Sequence, residues 1–317
     1  MPTEITIIGA GMAGLACARR LVSAGYTPLV LDKGRGIGGR MATRRVTLAA
    51  GEVSFDHGAQ YLTARELGFS AALHDLGPAC ARWNDGAVVP RLVGVPGMSS
   101  LPRAMAAGLN VQSDRQVTAV RAVPCGWQLD IGLARIETRH LVITVPAPQA
   151  AALLGVEHAL HRRIAKVVMA PCLTLMAALP TGAPCPFLSR SSDDHPLAWI
   201  AQDSSKPGRA GTLSTWVAQA SAEWSEQHLE ETPDEIAARM LPMLAEVIGV
   251  APQLALYAAA HRWRYARTAA PLGEPFLSYD DHTLHVGGDW CLGARVEAAW
   301  SSGTAIADAI IERTGSI

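Results

Sequence analysis

The chain has 317 residues, a formal net charge of −1 and an apolar fraction of 49%. That length can bury a large core and hold two domains, and the near-balanced charge leaves no basic footprint for nucleic acid or an anionic membrane. Basic side chains are nearly all arginine, so only Lys33, Lys166 and Lys206 offer an amine for Schiff-base chemistry.

Six cysteines, Cys17, Cys80, Cys125, Cys172, Cys185 and Cys291, are scattered without a C-x-x-C pair or a histidine cluster. The pattern points to reduced thiols in a cytoplasmic protein, not to a zinc site or a disulfide framework. The apolar segment Ile5–Leu15 lacks a basic flank and contains a glycine motif, so it is not read as a signal peptide. No stretch approaches the ~18 apolar residues of a membrane span.

In chain order, Glu4–Ile8 reads as a short apolar strand ending at Gly9. Met12, Leu15, Ala16, Ala18, Leu21 and Val22 then recur at helical spacing over Gly11–Ala24, with Gly25 as the stop. Thr27–Leu31 is a second strand, ending at Asp32. This β-α-β order within about thirty residues predicts a parallel sheet. Arg45–Thr63 reads as extended chain with a turn at Ala49-Ala50-Gly51. Val111–Val120, Gly126–Ile131 and Ala134–Thr138 read as an antiparallel meander, and Leu141–Val145 as a buried strand closed by Pro146 and Pro148.

The middle changes character. Trp199, Trp216, Trp224 and Trp263 lie there, four of the eight tryptophans, among proline-broken strands such as Cys172–Leu179. One helix is clear: Thr232 as N-cap, Pro233 at its first position, Asp234 and Glu235 in its first turn, and Ile236, Met240, Leu244 and Val247 along one face. The end returns to the opening style, with a strand at Leu284–Val286, a Gly287-Gly288 turn and a helix over Val296–Ile311.

Three motifs carry chemistry. Gly9-x-Gly11-x-x-Gly14 joins the first strand to the first helix, where the glycines permit a tight turn, close approach of a diphosphate and close helix–strand packing. Asp32, at the end of the second strand, is placed to bind ribose hydroxyls. The segment Asp32-Lys33-Gly34-Arg35-Gly36-Ile37-Gly38-Gly39-Arg40 follows, with backbone amides and Arg40 to face phosphate charge. Near the C-terminus, Gly287-Gly288-Asp289 precedes a helix.

The Asp32–Arg40 segment resembles the R-x-G-G-R extension of the amine-oxidase and phytoene-desaturase group of FAD enzymes, and Gly288-Asp289 is similar to their closing motif. Together with Phe55-Asp56-His57-Gly58-Ala59-Gln60, Gly38–Arg45 and Gly288–Glu297, the chain looks like the bacterial renalases, strongly at both ends and weakly in the middle. The resemblance implies an α/β fold. A Rossmann-type FAD-binding domain comes from 1–75, 100–150 and 276–317, and a smaller mixed α+β substrate domain from 76–99 and 151–275. It implies non-covalent FAD, a dihydronicotinamide dinucleotide substrate (2- or 6-dihydro forms of NAD(P)H) and O2 as acceptor, yielding NAD(P)+ and hydrogen peroxide.

The cofactor residues expected on this basis are Gly9, Gly11, Met12, Ala13, Gly14, Asp32, Lys33, Gly39, Arg40 and Met41. Asp56, His57, Gln60, Val117, Gly288, Asp289, Arg295 and Val296 complete the set. Substrate alignment falls to His57, Gln60, Tyr61, Trp263, Tyr265, Trp290 and Arg295, with Arg264 or Arg267 as further candidates for a substrate phosphate. No metal is expected. A dihydropyridine that becomes aromatic on losing hydride needs alignment against the flavin, not a nucleophile or base. The strand that carries an N5-facing lysine in amine oxidases reads Cys172-Leu173-Thr174 here, with Lys166 six residues early, and Cys291 is a poor match for a flavin-anchoring cysteine. An amine oxidase or desaturase-like enzyme, and a non-enzymatic protein that reuses the fold without flavin, are the alternatives.

Overall fold

The computed structural model describes residues 3–209, 211–279 and 282–315. Strand β1 (Thr3–Ile8), helix α1 (Met12–Ser23) and strand β2 (Leu29–Leu31) form the opening β-α-β unit. Ile5, Ile7 and Ile8 are all buried, as a central parallel strand covered on both faces requires. The hairpin β3 (Thr43–Leu48) and β4 (Gly51–Asp56) turns where the sequence places its Ala-Ala-Gly. Helix α2 (Leu67–Asp75), a second hairpin of β5 (Cys80–Trp83) and β6 (Arg91–Gly94), and α3 (Ser100–Ala106) follow.

Next come β7 (Asn110–Gln112), β8 (Ala119–Val123), β9 (Gly126–Ile131) and β10 (Ala134–Ile143). Two expectations change here. Val111–Val120 is not one strand, because Asp114 takes a φ of +58° and the chain there turns to bond Asp32 and Gly34. β7 therefore pairs parallel with β2, and β8 pairs antiparallel with β9. Conversely, the two expected strands Ala134–Thr138 and Leu141–Val145 fuse into β10. Its first half pairs with β9 and its second half with β1.

Helices α4 (Ala147–Leu154) and α5 (His161–Ile164) lead to β11 (Val168–Pro180), β12 (Ser189–Ser191), β13 (Leu197–Gln202) and β14 (Leu213–Ala220). Helices α6 (Ala222–Gln227) and α7 (Pro233–Ile248) precede the long β15 (Tyr257–Ala270). In α7, the Thr232 hydroxyl accepts from the Glu235 amide while the Glu235 carboxylate accepts from the Thr232 amide, and Gly249 closes the helix in the left-handed region. The chain ends with β16 (Phe276–Ser278), β17 (Leu284–Gly287), α8 (Asp289–Leu292) and α9 (Val296–Thr314).

The strands form two main sheets. One has the order β16-β17-β10-β1-β2-β7, with β8 and β9 branching from β10; the other is the antiparallel β12-β13-β14-β11-β15. The return of β17 beside β10 brings the C-terminal segment back against the opening unit. The second sheet has two distinct faces. Leu173, Leu175, Ala177, Trp216 and Ala218 pack on Ile236, Met240 and Leu244 of α7. The alternate residues Met176, Ala178 and Val217 pack on Val53 and Phe55 of the β3–β4 hairpin. Period-two alternation therefore assigns every second residue of β14, of β11 from Cys172 onward and of β15 up to Trp263 to the hairpin side, beyond which the pairing of β11 and β15 shifts register.

Among the described residues no helix is long and apolar enough to cross a membrane, and no group of three or more acidic, histidine or cysteine side chains could hold a metal. All six cysteines are free thiols.

Candidate active site

The glycine turn shows why each glycine is there. A Cβ on Gly14 would lie 1.9 Å from the Gly9 carbonyl oxygen, so the first helix can approach the first strand only without one. A Cβ on Gly11 would meet nothing within 4 Å. The α1 N-terminus has no side-chain cap, so its first amides and the positive dipole end look onto that open space. The Asp32 carboxylate accepts from the Ala10 amide at 2.6 Å and the Gly34 amide at 2.7 Å, tying the glycine turn to the segment after β2. Helix α9 packs onto α1 through Gly303, where a Cβ would stand 2.0 Å from the Ala13 carbonyl oxygen. Its own N-terminus at Arg295 and Val296 also lacks a side-chain cap.

Arg40 and Asp289 meet here. The guanidinium donates to both carboxylate oxygens and to the Ala266 carbonyl. The side chains are 29% and 10% exposed. The sequence sets Arg40 toward phosphate charge and Asp289 in the closing motif; the fold holds the two against each other. Gly58 sits beside this pair: a Cβ there would lie 1.9 Å from the Arg40 carbonyl oxygen and 3.4 Å from the Trp263 ring.

The hairpin-facing side of β15 supplies the aromatic wall. His57 stacks on Trp263 with centroids 5.3 Å apart and planes 12° from parallel, and His261 meets both edge-on at 4.5 Å and 4.4 Å. The Trp263 indole donates to the His57 carbonyl at 2.7 Å, and the Gln219 amide donates to the Gly58 carbonyl. Burial, then the neighbouring His261 and Arg44, push His57 down to about 3 against the opposing pull of Asp56. Burial and Arg44 push His261 down to about 4. Both imidazoles are therefore held in the neutral form near pH 7. Tyr61 packs on Trp199 at 5.3 Å, and the Arg91 guanidinium lies over both rings.

Behind this wall lies a buried ionic cluster that the sequence reading missed. Lys206 contacts Asp203 at 2.6 Å and Asp56 at 3.3 Å, and Arg209 contacts both carboxylates. All four side chains are at most 1% exposed. Gln60 is locked to this cluster: its amide donates to the Asp56 and Gly58 carbonyls, and its oxygen accepts from Lys206. Asp56 also accepts from Thr43 and the Met98 amide. Burial raises the Asp203 carboxyl against the pull of Lys206. The missed signal was Asp203-Ser-Ser-Lys206, an acid and a base three apart in a chain with only three lysines.

Not every expected residue reaches the wall. Trp290 is fully buried in the core and donates to the Val145 carbonyl; a Cβ on Gly288 would press on its ring, so it packs beneath the turn and does not line a cavity. Val117 and Met41 are core positions. Tyr265 is half-buried and lies in the stretch of β15 where the pairing with β11 shifts register. Arg264 is bound to Glu230, the acid that also meets Arg262, so it lies on the face that turns to the loop between α6 and α7 and away from the wall. Arg295 stands 3.8 Å from Glu297, whose carboxylate also caps the Arg65 and Glu66 amides. Lys33 and Arg267 are both exposed.

The β-α-β opening to which the C-terminal strand returns is the arrangement of a Rossmann-like dinucleotide-binding fold. The chain belongs to the flavin containing amine oxidoreductase family, whose profile matches residues 81–311. Residues 7–77 match the NAD(P)-binding Rossmann-like domain. Over 90 residues, 25% of the chain, it is 37% identical to lysine-specific histone demethylase 1 homolog 1 of Arabidopsis thaliana; the match spans only 10% of that protein. Cyclohexylamine oxidase from Brevibacterium oxydans IH-35A superposes with a TM-score of 0.79 at 14% identity, covering 99% of this chain and 100% of that one. A protein described as a protoporphyrinogen oxidase from Exiguobacterium sp. 255-15 gives 0.78 at 12% identity, covering 99% of both. At such identities the likeness is one of fold.

The site fits FAD, the cofactor of this family. The open side of Gly11, the uncapped α1 amides and the Asp32 loop clamp could hold its diphosphate and ribose.

Proposed function

We propose that this protein oxidises isomeric dihydronicotinamide dinucleotides, the 2- or 6-dihydro forms of NAD(P)H, to NAD(P)+, with O2 reduced to hydrogen peroxide. The observation that carries the reading is the His57–Trp263 stack: a flat, neutral aromatic wall with no ionised base on it. Such a wall aligns a planar ring and leaves hydride loss to the substrate's own gain of aromaticity. FAD, when bound, supplies the hydride acceptor and hands the electrons on to oxygen.

The residues divide the work. Gly9, Gly11, Met12, Ala13 and Gly14 offer amides to the diphosphate, and Asp32 with Lys33 meets the adenosine ribose. Gly39, Arg40, Met41, Gly288 and Asp289 close around the middle of the cofactor, and Val117 packs at its edge. The uncapped α9 N-terminus at Arg295 and Val296 would stabilise the negative charge that the flavin gains on reduction. His57, Trp263 and Tyr265 orient the substrate ring, Tyr61 lines the approach, and Gln60 with Asp56 holds the His57–Gly58 loop rigid. The site lies between an FAD-binding domain (1–75, 100–150, 276–317) and a substrate domain (76–99, 151–275). We infer a cytoplasmic protein whose partners are this small-molecule substrate and O2.

The second reading is an amine oxidase, favoured by the cyclohexylamine oxidase fold. Against it, the site-facing residues of β11 are Cys172 and Thr174, Lys166 is exposed outside the strand, and Lys206 is bound to two aspartates. The test is anaerobic. The oxidised FAD-loaded protein is mixed with borohydride-reduced NAD, with ordinary NADH and with simple amines. Bleaching by the reduced mixture alone, reversed by air with peroxide release, is expected. Bleaching by amines instead overturns the proposal.

A further inference from the structure

Arg44 lies at the edge of this wall and is used by nothing described so far. It is half-buried, yet its guanidinium makes no hydrogen bond or ion pair with any described residue. Its neighbours differ: Arg40 holds Asp289, and Arg262 and Arg264 hold Glu230. The hairpin register fixes where Arg44 points. It is opposite Phe55, so it shares the face of Phe55 and, two residues on, His57. Phe55 stacks on Tyr257 and His57 packs on His261 and Trp263, which places that face against the site side of β15. The Arg44 charge is also felt by both imidazoles, lowering each.

A second observation marks the same spot. His57 is 6% exposed, and its Nδ1 is buried with no hydrogen-bond partner. A half-desolvated cation without a counter-ion, beside an open polar atom and two uncharged imidazoles, is an incomplete arrangement that an oxyanion completes. It also repels a cationic amine.

We propose that Arg44, with His57 beside it, binds a phosphate-type oxyanion of the substrate, so that the site selects an anionic nucleotide over a neutral or cationic ring compound. This deepens the dinucleotide reading and rests on it for the identity of the ring. An arginine serves better than a lysine because its fork can hold two phosphate oxygens at once.

The test uses the oxidised, FAD-loaded full chain and follows tryptophan fluorescence and the flavin difference spectrum. The probes are inorganic pyrophosphate, nicotinamide mononucleotide and nicotinamide riboside. Wild type is expected to bind pyrophosphate, and to bind the mononucleotide roughly tenfold more tightly than the riboside, as a charge-assisted hydrogen bond would give. Arg44→Gln should abolish both effects while leaving the unperturbed flavin spectrum unchanged, and Arg44→Lys should keep part of them. Arg264→Gln, altered on the opposite face, should keep them in full. The proposal is overturned if wild type binds neither pyrophosphate nor the mononucleotide, or if Arg44→Gln binds them as wild type does. Failure of the dihydronicotinamide reading shows separately, as absence of anaerobic bleaching, because the pyrophosphate titration needs no turnover.

Discussion

Arg40 and Asp289, 249 positions apart, meet in a two-pronged ion pair, Nη1 to Oδ2 at 2.8 Å and Nη2 to Oδ1 at 2.5 Å. One comes from the loop after β2 and the other from the turn after β17, so the pair rivets the C-terminal return of the chain to its glycine-rich opening. Removing one partner leaves a poorly hydrated charge. Arg40→Ala and Asp289→Ala should each cost about 2 kcal/mol, below the figure for a fully buried pair because Arg40 is partly exposed. Urea midpoints and the FAD-to-protein ratio after gel filtration measure this, and the double variant should lose less than the sum. Wild-type FAD content and midpoint in either single variant would refute it.

Two glycines three apart should behave oppositely. Gly14→Ala forces a Cβ to within 1.9 Å of the Gly9 oxygen, so folding itself should fail or fall by several kcal/mol, on the order of the worst overpacking losses. Gly11→Ala meets no atom within 4 Å and should fold normally, yet retain little FAD. Circular dichroism and the flavin absorbance of the purified variants separate the two. An FAD-replete Gly11→Ala protein would mean that the diphosphate does not approach there.

The depressed histidines give a pH prediction with a definite sign. His57 is lowered to about 3, and His261 and His285 to about 4, from 6.5. Below pH 6.5 the unfolded chain takes up protons that the folded chain refuses. Their contribution is complete above 6.5 and is lost as pH falls toward 4, by up to ~1.4 kcal/mol per histidine per pH unit. Denaturation at pH 7 and pH 5 should show the loss, and His57→Phe should reduce it. Turnover should show no limb near pH 6.5 that His57→Phe removes, since neutral His57 carries no proton in the reaction.

Trp263 has two roles that substitution can divide. Trp263→Phe keeps a ring against His57 but loses the indole bond to the His57 carbonyl, and should lower kcat/KM by roughly tenfold, about the worth of one hydrogen bond. Trp263→Ala removes the wall as well and should fall further, mainly through kcat, because misalignment of the two rings slows hydride transfer. Rapid-reaction bleaching with the reduced nicotinamide mixture reads both. Equal rates in all three proteins would deny Trp263 a place at the substrate.

Lys206→Met leaves the buried carboxylates of Asp56 and Asp203 with Arg209 as the one remaining cation of the cluster. The expected destabilisation is about 3 kcal/mol, from breaking buried ion pairs by deleting one partner. Adding Asp203→Asn should restore part of it. Since Gln60 loses its only side-chain donor, the His57–Gly58 loop should loosen, visible as faster local amide hydrogen exchange.

The fold was legible where local chemistry dictated it. The glycine turn, the β-α-β order and the capped helix at Thr232 are written in consecutive residues, and the structure has them within a residue or two. The strand content near 111–145 was misread because its boundaries depend on distant partners. Asp114 breaks an apolar run to bond the Asp32 loop, and β10 stays continuous because two different neighbours each cover half of it. The candidate site was half legible. His57 and Trp263 were named separately, but nothing local announces that they stack. The Asp56–Asp203–Lys206–Arg209 cluster spans 153 positions between Asp56 and Arg209, and only the folded chain brings such residues together. Trp290 sits next to a motif that faces the cofactor region, yet its own side chain turns inward, a direction that proximity in sequence does not encode.

The alternation along β15 has a consequence for how such a protein changes over time. Ala260 and Arg262 answer to α6, α7 and their loops, while His261 and Trp263 answer to the wall around His57. One strand thus carries two interleaved texts, one written for the scaffold and one for the substrate. Descendants can rewrite the second without misspelling the first. A library confined to positions 261 and 263 should therefore yield mostly folded proteins with altered substrate preference, whereas the same effort at 260 and 262 should yield mostly aggregates.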